Sequence, residues 1–269
     1  MYNRNNYAIL RFKEGIMPRF FVNTAQIDAV SGVVTLTGAD AHHVARSLRM
    51  AAGEKITVCD AGAREYDCIL ETFHDETEVI ARIVAVREVT TEPPFRAHLY
   101  QGLPKGDKLD SIIQKAVECG IASVTPFESA HCVVRIKPEA EEKKTERRRR
   151  IALEAAKQCG RGTIPAVAPS VSFAEAVKRA TDAELALFCY EGEGTQPLRT
   201  VLSSYVAGQT DGTLPEISLM IGSEGGFSPA EAQAARDAGM IPVGLGRRIL
   251  RTETAAAFVL ACLVYEWEL

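Results

Sequence analysis

Two stretches near the C-terminus share one arrangement: a short apolar run, a glycine-bearing turn, then a helical pattern. In the first, Ile217-Ser-Leu-Met-Ile221 leads into Gly222-Ser-Glu-Gly-Gly226 and on to Phe227-Ser-Pro-Ala-Glu231. In the second, Ile241-Pro-Val-Gly-Leu245 leads through Gly246-Arg-Arg-Ile-Leu-Arg-Thr-Glu-Thr254 into an apolar helical pattern over 255–265. Strand-to-helix steps of this kind, repeated along a chain, argue for a parallel sheet covered by helices on both faces. Ligands in such sheets bind outside the carboxyl ends of the strands, which is where both glycine turns fall.

Local chemistry sharpens this reading. The glycines of the first turn permit dihedrals and close ligand approach that a β-carbon forbids. Ser228, Pro229 and Glu231 fit the N-cap, first and third positions of a helix, with Ser and Glu satisfying free amides reciprocally. Gly239 suits the end of that helix. A helix start at 251–254 offers unpaired amides and partial positive charge to a carboxylate, a phosphate or another acceptor. Familiar nucleotide motifs are excluded: residues 222–226 lack the dinucleotide spacing, and no Gly-Lys-Ser/Thr phosphate loop occurs. Ser223 is not an elbow nucleophile, because Ile221 stands where that motif needs glycine. Either loop alone fits a plain tight turn; two, separated by one helix, point to a shared crevice.

With 269 residues and 46% hydrophobic content, the chain suits one large or two moderate domains. Its seven cysteines are scattered without a C-x-x-C pair, which argues against a disulfide framework or a metal site and for a reducing cytoplasm. No secretory signal is read at the N-terminus. The longest apolar run, 255–265, is far short of the ~20 residues that cross a bilayer, so no membrane role is expected. A net charge of −4 does not announce a nucleic-acid binder. Local charge is more telling. Lys143-Lys-Thr-Glu-Arg-Arg-Arg-Arg150 is interleaved with glutamates at 139, 141, 142 and 146, a spacing that favours intrahelical ion pairs on a solvated face over phosphate contact.

Residues 1–16 read as a polar extension, or as the product of a start codon upstream of Met17. From 17 to 88, short apolar runs at 33–36, 55–59, 66–70 and 79–86 surround one helix at 41–48, the pattern of a small mostly-β barrel. Thr90-Thr-Glu-Pro-Pro94 marks a linker over 89–95. Beyond it, in 96–269, strands at 97–103, 122–127 and 185–189 alternate with helices at 108–119, 139–159 and 173–180.

Both glycine motifs, together with Arg46-Ser-Leu-Arg-Met50, Ile113-Gln-Lys-Ala-Val-Glu-Cys-Gly120 and Gln158-Cys-Gly-Arg161, resemble the bacterial 16S ribosomal RNA uridine N3-methyltransferases of the SPOUT superfamily. The resemblance runs from about Met17 to the C-terminus. Ser223 and Arg247 depart from it, each standing where the family commonly has proline. It implies an α/β fold: a PUA-like β-barrel over 17–88 that engages RNA, then a methyltransferase domain over 96–269 with a trefoil knot. It also implies a cytoplasmic homodimer, S-adenosylmethionine as cofactor, 16S ribosomal RNA or the small ribosomal subunit as partner, and no metal. The knot comes from the resemblance alone, since chain threading is nearly absent among known topologies.

By the same resemblance, the cofactor is held by Gly222, Ser223, Glu224, Gly225, Leu245, Gly246, Leu250, Arg251, Thr252, Thr254 and Ala255, with Glu191 on a third wall. The target imide nitrogen carries a proton, so the reaction needs proton removal or stabilised charge on the uracil oxygens. Arg251 is the candidate for the charge and Glu253 for orienting it or accepting the proton; a salt bridge or helix-start cap is the competing role for this pair. Cys159 is expected to be packed, not catalytic. Arg19, Arg46, Arg49 and Arg161 are candidate RNA contacts. Two other functions remain open at this stage: a ribose 2′-O-methyltransferase of the same superfamily, and a non-catalytic RNA-binding assembly factor.

Overall fold

The structure, a computed structural model, describes residues 17–62, 64–208 and 213–269. The reading of 1–16 as an extension lies outside these residues. The chain divides into two compact units, one ending at Glu88 and the other running from Val89 to Leu269.

In the first unit, β1 (Arg19–Phe21), β2 (Ile27–Asp28), β3 (Val33–Thr37), β4 (Lys55–Cys59), β5 (Arg64–His74) and β6 (Glu78–Glu88) form one sheet in the order β1-β4-β5-β6-β3-β2. All neighbours are antiparallel except β1 and β4. The order is linear, so β1 and β2 are its edges. Phe20 of β1 shares one core with Val34 and Leu36 of β3 and with Ile56, Leu70 and Val79. Alternation explains it: in β3, Val34 and Leu36 point inward while the residues between them do not. The expected helix is α1 (Gly38–His42), which passes into a π-helical turn, His43–Ser47.

The second unit contains β7 (Arg96–Gly102), α2 (Lys108–Glu118), β8 (Ser123–Glu128), α3 (Pro138–Cys159), β9 (Ala166–Val167), β10 (Val171–Ser172), α4 (Phe173–Ala180), β11 (Leu185–Cys189), β12 (Gln196–Pro197), α5 (Leu198–Gly208), β13 (Glu216–Ile221), α6 (Pro229–Asp237), β14 (Ile241–Gly244) and α7 (Thr252–Trp267). Its eight strands are parallel throughout, in the order β10-β8-β7-β13-β11-β14-β12, with β9 on β8. This is the parallel α/β architecture expected from the alternation. The order has one consequence for function. Strand β11 lies between β13 and β14, so the carboxyl ends of all three open on the same side of the sheet.

The charged face of α3 differs from the expected solvated one. Arg148 is buried, pairing at 2.9 Å with Glu141 two turns back in α3 and donating to Ser170 Oγ at 3.2 Å, while Arg147 reaches Asp110 of α2 at 2.5 Å and Arg149 donates to the Val167 carbonyl. Only Arg150 and Glu146, 3.9 Å apart, form the anticipated i,i+4 pair within 143–150 among the described residues. Three arginines of the run therefore anchor the helix to its neighbours. Among the described residues, no helix is long and apolar enough to cross a membrane.

Candidate active site

Each wall of the site is set by the strand that feeds it. The first glycine loop leaves β13 and is held down by Phe227, whose ring lies 4.4 Å from that of Phe188 on β11 and stacks at 6.1 Å on Phe127 of β8. The chain then enters α6 through the anticipated capping box: the Glu231 amide donates to Ser228 Oγ at 3.2 Å, and the Ser228 amide to Glu231 Oε2 at 2.9 Å. Glu231 also accepts from the Ala130 amide at 2.7 Å, and His131 Nδ1 lies 2.9 Å from the Gly225 carbonyl. The second loop leaves β14, turns at Gly246 with φ of +113°, and enters α7 without a side-chain cap. That φ is strained for any residue with a β-carbon.

The two loops are joined by side chains that sequence patterning did not single out. Gln101, fully buried at the end of β7, donates from Nε2 to the Gly222 carbonyl at 3.2 Å and to Thr252 Oγ1 at 2.8 Å. The Thr252 hydroxyl in turn donates to the same carbonyl at 2.6 Å. The next residue allows this approach: a β-carbon on Gly102 would lie 2.6 Å from the Ser223 amide nitrogen and 2.9 Å from the Gly222 carbonyl carbon. Across the mouth, Lys108 of α2 reaches both segments, 2.8 Å from Glu224 and 3.7 Å from Glu253. The hydrogen bond to Glu224 raises the Lys108 pKa. For Glu224, burial works to raise the carboxyl pKa, but hydrogen bonds from Lys108, its own amide and the Lys105 amide outweigh it and hold the group below the ordinary range.

These segments enclose a cavity of about 640 Å³, within the span of ~300–1,000 Å³ usual for small-molecule sites. Of the residues expected at a cofactor, Glu191, Gly222, Ser223, Glu224, Gly225, Leu245, Gly246, Leu250, Arg251, Thr252 and Ala255 line it. Thr254 does not; it is exposed and outside the wall. Glu253 is also absent from the wall, its buried Oε2 lying 3.7 Å from Lys108 Nζ, which does line the cavity. The reason is helical geometry: Thr252 and Ala255 share one face, and the two residues between them turn away. Lys108, Cys189, Tyr190, Thr195, Phe227, Gly244, Arg247, Arg248 and Ile249 complete most of the rest of the lining. Burial pushes the Cys189 thiol up to about 12, so it is protonated at neutral pH. Burial also raises Cys159, which lies at the end of α3 and outside the cavity wall.

The four arginines expected at RNA are not alike. Arg161 is 5% exposed, bridged to Glu92 at 2.5 Å, and donates to the Ile121 carbonyl at 2.5 Å. It is a structural cation that fastens the 89–95 segment to the end of α3, a correction to its expected role. Arg19 is largely covered and pairs with Glu65 at 2.7 Å. Arg46 is exposed and pairs with Glu76, and Arg49 is exposed with φ of +53°. Among the described residues, no group of three or more His, Cys, Asp or Glu side chains converges as metal ligands would.

The pairing of a parallel sheet with a glycine-walled cavity at its strand ends fits the class that comparison identifies. Residues 91–264 match the family described as the RNA methyltransferase domain, and residues 36–84 the RNA methyltransferase PUA domain. Ribosomal RNA small subunit methyltransferase E of Bacillus subtilis is 33% identical over 254 residues, covering 94% of this chain and 98% of that protein. Among solved structures, a putative methyltransferase from Legionella pneumophila in complex with the bound cofactor SAM aligns with a TM-score of 0.78 and 31% identity, over 93% of this chain and 97% of that one. Ribosomal RNA small subunit methyltransferase E from Neisseria gonorrhoeae bound to S-adenosyl methionine aligns with a TM-score of 0.75 and 29% identity, over 93% and 98%. The chain belongs to the ribosomal RNA small subunit methyltransferase E family.

Proposed function

We propose that this protein methylates N3 of a uridine in 16S ribosomal RNA, using S-adenosylmethionine. The observation that carries this reading is that both glycine loops and residues 189–191 line the same cavity. When bound there, S-adenosylmethionine supplies a methyl group on a cationic sulfur. Backbone groups of Gly222, Glu224, Gly225, Leu245, Gly246 and Leu250 hold its adenosine and methionine parts, with Glu191 on the facing wall. Fixing the methyl group in line with the acceptor nitrogen removes much of the barrier, up to ~7–11 kcal/mol in favourable cases.

Transfer of the N3 proton to water at the solvent-open mouth of the cavity leaves negative charge on the neighbouring uracil oxygens. Arg251, exposed on the cavity wall, donates hydrogen bonds to that charge. Glu253 lies behind the wall and acts through Lys108, which makes it a positioning residue. Arg46 and Arg49 belong to the PUA unit and are its proposed RNA contacts.

The same reading includes a trefoil knot, a cytoplasmic homodimer and the unit boundaries 17–88, 89–95 and 96–269. Support for the knot is the strand order, in which β13 enters between β7 and β11 and the chain then crosses to β14 beyond β11. Support for the dimer is α7, apolar on most sides, which leaves Phe258 40% and Tyr265 73% exposed for a second copy to cover.

The test is incubation of small-subunit RNA and of intact small subunits with isotopically methylated cofactor, followed by digestion and mass spectrometry of the nucleosides. Labelled 3-methyluridine is expected. Label on a ribose 2′-oxygen would overturn the acceptor, and cofactor binding without any methylated nucleoside would overturn the enzymatic reading.

A further inference from the structure

The rim of the cavity carries positive charge with no carboxylate paired to it among the described residues. In a chain of net charge −4, arginines are usually matched to carboxylates, as Arg82 is to Glu71 and Arg179 to Glu175. The second glycine loop breaks that habit. Arg247, Arg248 and Arg251 fall within five residues, all are exposed, and among the described residues none forms an ion pair. Each lines the cavity while remaining open to solvent, which places the group at its mouth. The start of α7 lies directly behind and lacks a side-chain cap, so its partial positive charge adds to the same field.

Between these cations stands Ile249, 83% exposed, whereas its neighbour Leu250 is partly covered. An aliphatic side chain held in water and flanked by guanidinium groups has no stabilising role within the subunit. Arginines that take phosphates beside an apolar residue that meets a base are the combination by which proteins hold an unstacked nucleotide.

Resting on the functional reading above, we propose that Arg247, Arg248 and Ile249 form an RNA grip on the cavity rim, in which both guanidinium groups pair with backbone phosphates beside the target nucleotide and Ile249 packs against a base. The cofactor sits deeper and does not require them. Its carboxylate is the competing anion, and the experiment separates the two.

Affinity of the full-length protein, with cofactor bound, for a uridine-containing single-stranded RNA is measured between 50 and about 200 mM salt. The R247A/R248A double variant is expected to reduce the slope of log affinity against log salt by about 1.4, from ~0.7 per phosphate contact in single strands. Calorimetric affinity for S-adenosylmethionine should remain within about twofold of the parent. I249S is expected to weaken RNA binding by about fivefold with the slope unchanged, through loss of buried apolar area. An unchanged slope in the double variant, an unchanged affinity in I249S, or a loss of cofactor affinity in place of RNA affinity would each overturn the grip. Parent protein that binds cofactor but shows no salt-dependent RNA affinity would overturn the functional reading and the grip together; parent behaviour as expected with silent variants would overturn the grip alone.

Discussion

Gln101 Nε2 lies 2.8 Å from Thr252 Oγ1, and both groups converge on the carbonyl of Gly222. One buried amide thus links the end of β7 to the first glycine loop and to the start of α7. Buried polar groups of this kind are strongly coupled, because removing one partner leaves another unsatisfied. The loops that wall the cavity are held in register by this contact as well as by packing of Phe227.

Replacing Gln101 by Ala or Thr252 by Val should each cost about 1–3 kcal/mol of folding free energy, measured by urea denaturation. Because the two share one acceptor, their effects should be non-additive, with an interaction energy of at least ~0.5 kcal/mol in a double-mutant cycle. Cofactor affinity should fall in both single variants. Strict additivity would mean that the two side chains do not form a common staple.

The Lys108–Glu224 pair predicts a pH window. Glu224 has its carboxyl pKa lowered in the folded protein, so its contribution is present above the ordinary carboxylate value and lost as pH falls through the depressed one. Lys108 has its pKa raised, so its contribution is present below the ordinary lysine value and lost as pH rises through the raised one. The clamp is therefore intact from roughly pH 5 to 10. Lys108→Met should shift the acid-side loss of cofactor affinity to higher pH, as followed by calorimetry from pH 3.5 upward; an unmoved acid limb would count against the clamp.

Much of this site was legible in the sequence. The glycine loops, the capping box of Ser228 and Glu231 and the parallel α/β alternation all follow from short-range patterns, and the structure bears them out. What escaped was set by contacts between distant segments. Gln101 ends an otherwise ordinary strand, and only the sheet order brings it against Gly222 and Thr252; its one local signal was a polar side chain on a buried run. Lys108 looked like any basic residue at a helix start. The two-residue strands β9, β10 and β12 carry no periodicity to detect, and α5 was missed because residues 198–208 mix polar and apolar positions without a clear stripe. Arg161 misled in the other direction, since an arginine after a helix-ending glycine gives no sign of Glu92 folding back upon it.

That network supplies another prediction. Glu92 also accepts from the Gly162 and Thr163 amides, and its carboxyl pKa is lowered, burial opposing and the Arg161 interaction outweighing it. Arg161→Ala should destabilise the protein by about 1–3 kcal/mol, because the half-buried Glu92 carboxylate loses its cation and the Ile121 carbonyl its donor. The salt dependence of RNA binding should stay as in the parent. A reduced slope at unchanged stability would restore Arg161 as a phosphate contact.

Cys189 lines the cavity, but with its thiol pushed up to about 12 it stays neutral at working pH. Cys189→Ala should retain methyl transfer within about tenfold, and the pH profile should show no inflection in the range of an ordinary thiol, near ~8.5. Inactivation by Cys189→Ala with cofactor affinity intact would assign the sulfur a chemical role.

The most direct test of the account is a crystal structure of the protein soaked or co-crystallised with S-adenosylmethionine. Density for the cofactor should contact residues 222–225, 245–246, 250–251 and 189–191 at once, since β11 lies between the two loop strands. Density that touches one glycine loop and leaves the other empty, or that lies elsewhere on the molecule, would contradict it.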